Sequence, residues 1–350
     1  MRVLITGGAG FIGSHIVTAG LARGWEVRVL DSLTEDAHPR RPVPHPGVDF
    51  IEGDVCNPDA VTRALDGIDV VLHQSAKVGL GVDFSDAPGY VRNNDLATAV
   101  LLAGMVRAGV GRLVLASSMV VYGEGAYRDR SGALVRPGPR RREDLEVGIF
   151  DPRSPATGEL LVPTLVTEDA LLDPRNVYAA SKVAQENLVS VWAHTTGGHA
   201  VALRYHNVYG PGMPKNTPYA GVASLFRSAL SRGEVPRVFE DGGQRRSFIH
   251  AADIAQANLA AAKALFGGPR EPFRAYNVGA DEVHTVGEVA QAMSACSGGP
   301  DPQVTGEFRL GDVRHVTASS ARIKSELGWA PHRDFAEGMA EFMLAPMRGD

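Results

Sequence analysis

The strongest constraint on this chain lies at its opening. The apolar run Val3-Leu4-Ile5-Thr6 passes directly into Gly7-Gly8-Ala9-Gly10-Phe11-Ile12-Gly13, which opens a segment of helical period. A strand that turns this sharply into a helix needs glycine for three reasons: unusual backbone dihedrals, close approach of the backbone to a pyrophosphate, and tight packing of helix on strand. The helix N-terminus adds amide donors and a favourable dipole. Gly7, Gly10, Phe11, Ile12 and Gly13 are therefore candidates for holding the phosphates of a dinucleotide. Asp31 ends the second apolar run 21 residues after Gly10, where an acidic side chain accepts both hydroxyls of an adenosine ribose. A carboxylate there repels a 2′-phosphate, which favours NAD over NADP; Arg40 and Arg41 restore NADP if they fold back over that ribose. Taken alone, a glycine loop can simply turn, and a strand-end Asp can simply cap the next turn.

The rest of the first half keeps the same rhythm. Val3 to Thr6, Glu26 to Asp31, Val48 to Glu52, Asp69 to His73, Arg112 to Ser117 and Val201 to Arg204 read as strands; Phe11 to Ala22, Asp59 to Leu65, Ala97 to Ala108 and Tyr178 to His194 read as helices. Strands alternating with helices imply right-handed crossovers and an α/β fold with a doubly wound parallel sheet. The Gly-, Pro- and Arg-rich stretch from Gly123 to Asn176 is too long for an ordinary connection and reads as an insertion near the site. Past Asn207 the alternation loosens, with helix-like runs at Ala220 to Arg232, Ala251 to Leu265, Val286 to Ser294 and Ala321 to Leu327. The expected division is residues 1–206 for the sheet domain, carrying an insertion at about 124–175, and 207–350 for a smaller α/β domain with some segments returning to the sheet.

Composition closes off other classes. With 350 residues, 44% hydrophobic and 21% charged, the chain has ample core material. A formal net charge of −5, from 35 Lys+Arg against 40 Asp+Glu, argues against a nucleic-acid or anionic-membrane surface. No apolar stretch reaches the length of a membrane span. The first residues read as a buried first strand rather than a leader, because Gly7 and Gly8 interrupt the apolar run and no small-residue cleavage site follows. The two cysteines, Cys56 and Cys296, fit no metal-ligand spacing and no disulfide framework. A cytoplasmic protein without a metal is expected.

The reactive groups lie further along. Tyr178-Ala179-Ala180-Ser181-Lys182 places a phenol and an ammonium one helical turn apart. A free tyrosine titrates near ~10, and a neighbouring cation stabilises its phenolate. Ser117 and Ser118 end a strand at its carboxyl end, where open α/β sheets bind ligands, and a hydroxyl there can relay a substrate proton. Each feature alone has an ordinary structural explanation; all three in one cleft point to chemistry.

These residues resemble the extended short-chain dehydrogenase/reductases that act on nucleotide sugars, a family typified by UDP-galactose 4-epimerase, with a Rossmann sheet and a smaller C-terminal substrate-binding domain. The resemblance rests on Thr6 to Gly13, Gly53-Asp54-Val55, Ser117 to Gly123, Tyr178 with Lys182, Arg204-Tyr205-His206-Asn207-Val208-Tyr209-Gly210-Pro211, and Arg246 four residues before His250. Arg309-Leu310-Gly311-Asp312 and Leu327-Gly328-Trp329 are similar to the family's late signature. It implies Ser118 as the catalytic hydroxyl, Tyr178 as the base, and Lys182 as the lysine on the nicotinamide ribose. It further implies Asp54 and Val55 beside the adenine, Asn207 on the substrate, and Arg246 and Arg309 clamping its pyrophosphate, for which guanidinium is suited. The implied partner is a nucleotide-diphosphate sugar, dTDP- or UDP-hexose.

Within that resemblance the residues after Ser118 sort the reactions. Dehydratases carry Asp and Glu after the hydroxyl, sugar-acid decarboxylases a Glu and GDP-mannose 3,5-epimerase a Cys at the second position. Here Met119 and Val120 stand there, and neither exchanges a proton. A 4-epimerase or a 4-ketoreductase remains, and Asp31, by favouring NAD, leans toward the epimerase. A non-catalytic NAD-binding regulator is the competing class. From Tyr122 to Tyr178 is 56 residues, longer than in UDP-galactose 4-epimerases. Val121 to Gly125 and Asn216 to Gly221 resemble dTDP-L-rhamnose 4-epimerases, so the insertion is expected to cover the hexose pocket as a lid. In the family, the helices matching Ala97 to Ala108 and Tyr178 to His194 often pair across a two-fold axis, which implies a homodimer.

Overall fold

In the computed structural model, residues 1–35, 37–79, 83–215, 221–268 and 271–348 are described. Seven strands form one parallel sheet: β1 (Arg2–Thr6), β2 (Glu26–Asp31), β3 (Val48–Glu52), β4 (Val70–His73), β5 (Arg112–Ser118), β6 (His199–Tyr205) and β7 (Phe273–Val278), in the order β7-β6-β5-β4-β1-β2-β3. The doubly wound α/β fold expected from the alternation is present.

Period-two alternation assigns the two faces. In β1, Val3 and Ile5 join a core with Ile16 and Val17 of α1 (Phe11–Ala22) and Ile254, Ala257 and Ala261 of a later helix. Leu4, between them, faces the other core, built with α2 (Pro58–Leu65), α3 (Ala97–Ala108) and α4 (Val177–Thr196). Burial on both faces explains why these strands read as near-continuous apolar runs.

The second half carries α5 (Val222–Ser231), α6 (Ala251–Ala264), α7 (Val286–Ser297), α8 (Ala321–Leu327) and α9 (Phe335–Leu344). Helices α5, α7 and α9 share a separate core around Phe226, Val289, Met293, Met339 and Phe342. Helix α6 packs on α1, and β7 extends the sheet beside β6. Strand β7 escaped the sequence reading because its polar residues are used within the fold. Arg274 pairs with Glu326, and Asn277 bonds to Tyr122 and Val166.

The insertion is folded. Ala126–Arg128, Leu134–Val135 and Val162–Thr164 form a small antiparallel sheet. It is clasped to the segment 313–319 by Val166 N–H on Thr317 O at 2.8 Å, and by Arg314 and His315 N–H on the Glu124 carboxylate at 2.6 and 3.2 Å. Part of the Asn216 to Gly221 motif, residues 216–220, lies outside the described residues.

Candidate active site

Strand order reverses between β1 and β4, and a cavity of about 550 Å³ opens there at the carboxyl ends of the strands. One end is built by the glycine turn. Gly7 holds φ +68°, and a Cβ on it would lie 2.8 Å from the Ser75 nitrogen; a Cβ on Gly13 would lie 2.1 Å from Gly7 O. Only glycine brings β1, α1 and the turn after β4 this close. Gly10 caps α1 without a side-chain hydrogen bond, so the first-turn amides face the cavity uncapped, ready for an anion.

Asp31 lines the same end. Its Oδ2 accepts from Ala9 N–H and its Oδ1 from Leu33 N–H, each at 3.0 Å, and His38 Nε2 stands 3.4 Å from Oδ1. Burial raises its pKa, but the His38 contact and these bonds outweigh it and hold the carboxyl below its ordinary value. Asp54 and Val55 follow β3 into the wall; Asp54 accepts from Cys56 N–H at 2.8 Å and pairs with Arg92 at 2.6 Å. Neither Arg40 nor Arg41 is among the lining residues, and Arg41 pairs with Glu52. Uncapped amides, a glycine cradle that a Cβ would fill, and an ionised carboxylate at the β2 end suit an NAD molecule.

The opposite end carries the reactive groups. Asn176 caps α4, its side chain accepting from Ala179 N–H at 2.8 Å, which sets Tyr178 in the first turn and Lys182 one turn later. The Lys182 ammonium lies 5.9 Å from the Tyr178 ring centre and donates to Ala116 O at 2.9 Å. Burial pushes the Tyr178 phenol up to about 12, against a hydrogen bond with Ser118 that works the other way. Burial lowers Lys182 to about 7, against the pull of Glu186 and Asp95. Ser118 begins the short helical turn Met119–Tyr122 and faces the phenol, whereas the Ser117 hydroxyl donates to Glu186.

A polar framework fixes this end from behind. Asn94, in the π-helical turn before α3, accepts from Lys77 N–H at 2.7 Å and donates to Ser181 Oγ at 2.8 Å, tying the β4 turn to α4. Thr98 donates to Asn94 O at 2.6 Å, so it accepts from Gln185 at 2.7 Å and from His73 Nε2 at 3.1 Å. His73 Nδ1, 2.7 Å from the Thr6 hydroxyl, is then the acceptor.

The structure therefore brings Gly7, Gly10, Phe11, Ile12, Gly13, Asp31, Asp54, Val55, Ser118, Tyr178, Lys182 and Asn207 to one cavity. Arg246 and Arg309 are not among its lining residues. The Arg246 guanidinium donates to Arg314 O and Val313 O at 2.8 Å, and Arg309 stacks 4.9 Å over Phe239. The insertion supplies none of the described lining residues either. Its hydrogen bonds go to its own strands, to 313–319, and to Val121, Arg204 and Asn277. Sequence reading also missed His38, Lys77, His206 and Arg348 in the wall. Only Lys77, just past the β4 end, carried a positional signal.

Residues 3–155 and 156–279 match the model of the NAD dependent epimerase/dehydratase family. The chain is 32% identical to dTDP-L-rhamnose 4-epimerase of Burkholderia thailandensis, over 97% of this chain and 93% of that protein. Among solved structures, UDP-glucose 4-epimerase of Thermus thermophilus in complex with NAD is 32% identical, covers 98% of each chain and superposes with a TM-score of 0.76. UDP-glucose 4-epimerase of Thermotoga maritima with UDP-glucose is 25% identical, covers 98% of this chain and 97% of its own, with a TM-score of 0.79. No helix among the described residues is long and apolar enough to cross a membrane.

Proposed function

The chain belongs to the NAD dependent epimerase/dehydratase family, and on that premise we propose that it is a nucleotide-sugar 4-epimerase acting on a dTDP- or UDP-hexose. The observation that carries this reading is the convergence of Ser118, Tyr178 and Lys182 on one cavity wall, with Met119 and Val120 after the hydroxyl. A dehydration needs a further acid and base at neighbouring carbons, and those two side chains offer neither.

NAD, when bound, would be held by the Gly7–Gly13 turn and Asp31 and would supply the hydride acceptor and donor, its oxidised form adding a positive charge that favours the phenolate. Tyr178 takes the proton of the sugar C4 hydroxyl as the C4 hydrogen departs. Ser118, hydrogen-bonded to the phenol, shares the same substrate oxygen and keeps it within reach. Lys182 acts by charge: while protonated, its ammonium favours the phenolate over the phenol. After the 4-keto sugar presents its other face, Tyr178 returns the proton to the same oxygen. Asn207, whose buried Oδ1 has no partner among the described residues, is positioned to accept from the substrate. Arg246 spends three of its five N–H donors on the Arg245, Val313 and Arg314 carbonyls, which leaves two for a substrate pyrophosphate.

A 4-ketoreductase would use the same three residues in one direction. Purified protein incubated with UDP-, dTDP- and GDP-sugars, without added dinucleotide, decides between them. Appearance of the C4-inverted sugar supports the epimerase, and conversion only with stoichiometric NADH or NADPH supports the reductase. A non-catalytic NAD binder would convert none.

Helices α3 and α4 expose Val106, Leu188 and Val191, which supports a homodimer through these helices. Light scattering behind size exclusion checks this: a species of twice the chain mass is expected, and Val191→Glu should return it to monomer.

A further inference from the structure

The segment Ala345–Arg348 leaves α9 and runs back to the glycine turn. Gly212 N–H donates to Pro346 O and Arg348 N–H to Met213 O, each at 3.1 Å, and Pro214 bridges Arg348 in parallel. Met347 is buried in the core of α5, α7 and α9, and Arg227 reaches the carbonyls of Phe342 and Ala345. The segment is thus anchored along its length, and it delivers one side chain to the cavity.

That side chain is Arg348. Its Nη1 donates to Ala9 O at 2.7 Å and lies 3.0 Å from His38 Nδ1. A guanidinium has no lone pair to offer, so His38 Nδ1 accepts, and its proton sits on Nε2, the atom that faces Asp31. A guanidinium, an imidazole and a carboxylate therefore stand in line at the adenosine end. The buried Nε of Arg348 has no partner among the described residues. The other cations in the wall are occupied elsewhere: Lys77 pairs with Asp86 at 3.1 Å, and Lys182 sits on Ala116 O at the reactive end. A dinucleotide brings two phosphate charges to a turn where α1 offers backbone amides alone, with no basic side chain in its first residues.

We propose that Arg348 is the cation that holds the phosphate–ribose part of the dinucleotide against the Gly10 turn, making Ala345–Arg348 a strap that retains the cofactor between turnovers. This deepens the epimerase reading and rests on it: an enzyme that returns its hydride to the same sugar has no need to exchange NAD, whereas a reductase must release it.

The test compares wild type, Arg348→Met and Arg348→Lys. NAD bound after size exclusion is released by acid and quantified. Affinity of the stripped protein for NAD is measured calorimetrically at about 0.05 M and about 0.5 M salt. Melting temperature is recorded with and without NAD. Arg348→Met should bind NAD about tenfold more weakly, as expected for loss of one charge-assisted contact, and lose part of the salt dependence. The NAD-induced rise in its melting temperature should shrink, while the NAD-free melting temperature stays put. Unchanged affinity, or an equal drop in melting temperature with and without NAD, overturns the proposal in favour of a packing role. If Arg348→Met does not fold, Arg348→Lys carries the test: binding about threefold weaker is expected, because the planar fork is lost, and wild-type affinity overturns it. A wild type that binds no NAD would sink the epimerase reading itself.

Discussion

The two sides of the β5 end are held by opposite means. Behind Tyr178 and Lys182, the polar groups are buried and bonded to one another: Thr6, His73, Thr98 and Gln185 in one chain, Ser117, Glu186, Arg204 and Tyr122 in another. Apolar residues such as Leu113, Leu115, Val189 and Trp192 surround them. The insertion side is held by ion pairs instead. Arg314 binds Asp151, Glu240 and Asp241 at 2.8 Å, and Arg140 binds Glu240 at 2.8 Å; the side chains of Asp151 and Asp241 remain 44% and 53% exposed. The first arrangement fixes Tyr178 and Lys182 from behind and, being buried, is screened little by salt. The second fastens a peripheral element that touches no part of the cavity, and solvent reaches half of its contacts.

The sharpest break falls on the reactive side. Tyr178→Phe removes the proton carrier without touching either network, so kcat should fall by about 10²- to 10⁴-fold, while bound NAD and the urea midpoint stay near wild type. Turnover within a few-fold of wild type would mean that the reaction does not pass through this phenol.

Arg204→Met tests the buried framework. Its guanidinium binds Glu186 at 2.7 and 3.0 Å and also donates to Tyr122 and the Glu168 carbonyl. Removing it strands a carboxylate that is 3% exposed, one turn beyond Lys182 on α4. A loss of about 3–5 kcal/mol is expected, read from urea unfolding. A loss below about 1 kcal/mol would show that Glu186 finds another partner or takes up a proton.

Arg314→Met does the corresponding damage on the ion-paired side, and less of it. Glu240 keeps Arg140, and Asp151 and Asp241 can turn to water. A cost of about 1–3 kcal/mol, faster proteolytic cleavage within residues 124–175, and kcat within a factor of about three are expected, with raised salt mimicking part of the effect in wild type. A collapse of kcat would place the insertion at the chemistry and support a covering role for it.

The same contrast explains what the sequence revealed. Buried strands and apolar helix faces write their period directly into the chain, so β2, β3, α1 and α3 were read with the bounds later observed. The glycine turn, Ser118 and the Tyr178–Lys182 spacing were legible because each depends on neighbours within a few residues. The clasp was not, since Glu124 meets Arg314 and His315 across 190 and 191 positions, and Arg348 meets Ala9 across 339. A long polar insertion announces its length but not the surface it will dock against. Arg246 is the converse case. Its motif position was plain, yet the carbonyls of 313–314 that now occupy it leave no local trace.

A final, smaller effect separates the two sides by acid. Burial pushes His73 down to about 3, and His206 likewise, so both are neutral in the folded protein at pH 5. The unfolded chain protonates them near ~6.5. Between those values the unfolded state binds more protons, so stability falls as pH drops, by about 1.4 kcal/mol per pH unit for each histidine. On the ion-paired side Asp151 is held well below the usual carboxylate range by His315 and Arg314, so its contribution is lost only as pH falls below about 3.8. His315 is lowered by burial, but its bond to Asp151 opposes the shift. Urea midpoints at pH 6, 5 and 4 should therefore show a shallower acid slope for His73→Gln, by about 1.4 kcal/mol per pH unit, and a smaller change for His315→Gln. Parallel slopes for wild type and His73→Gln would show that His73 charges without unfolding its surroundings, and that water already reaches the framework behind Tyr178.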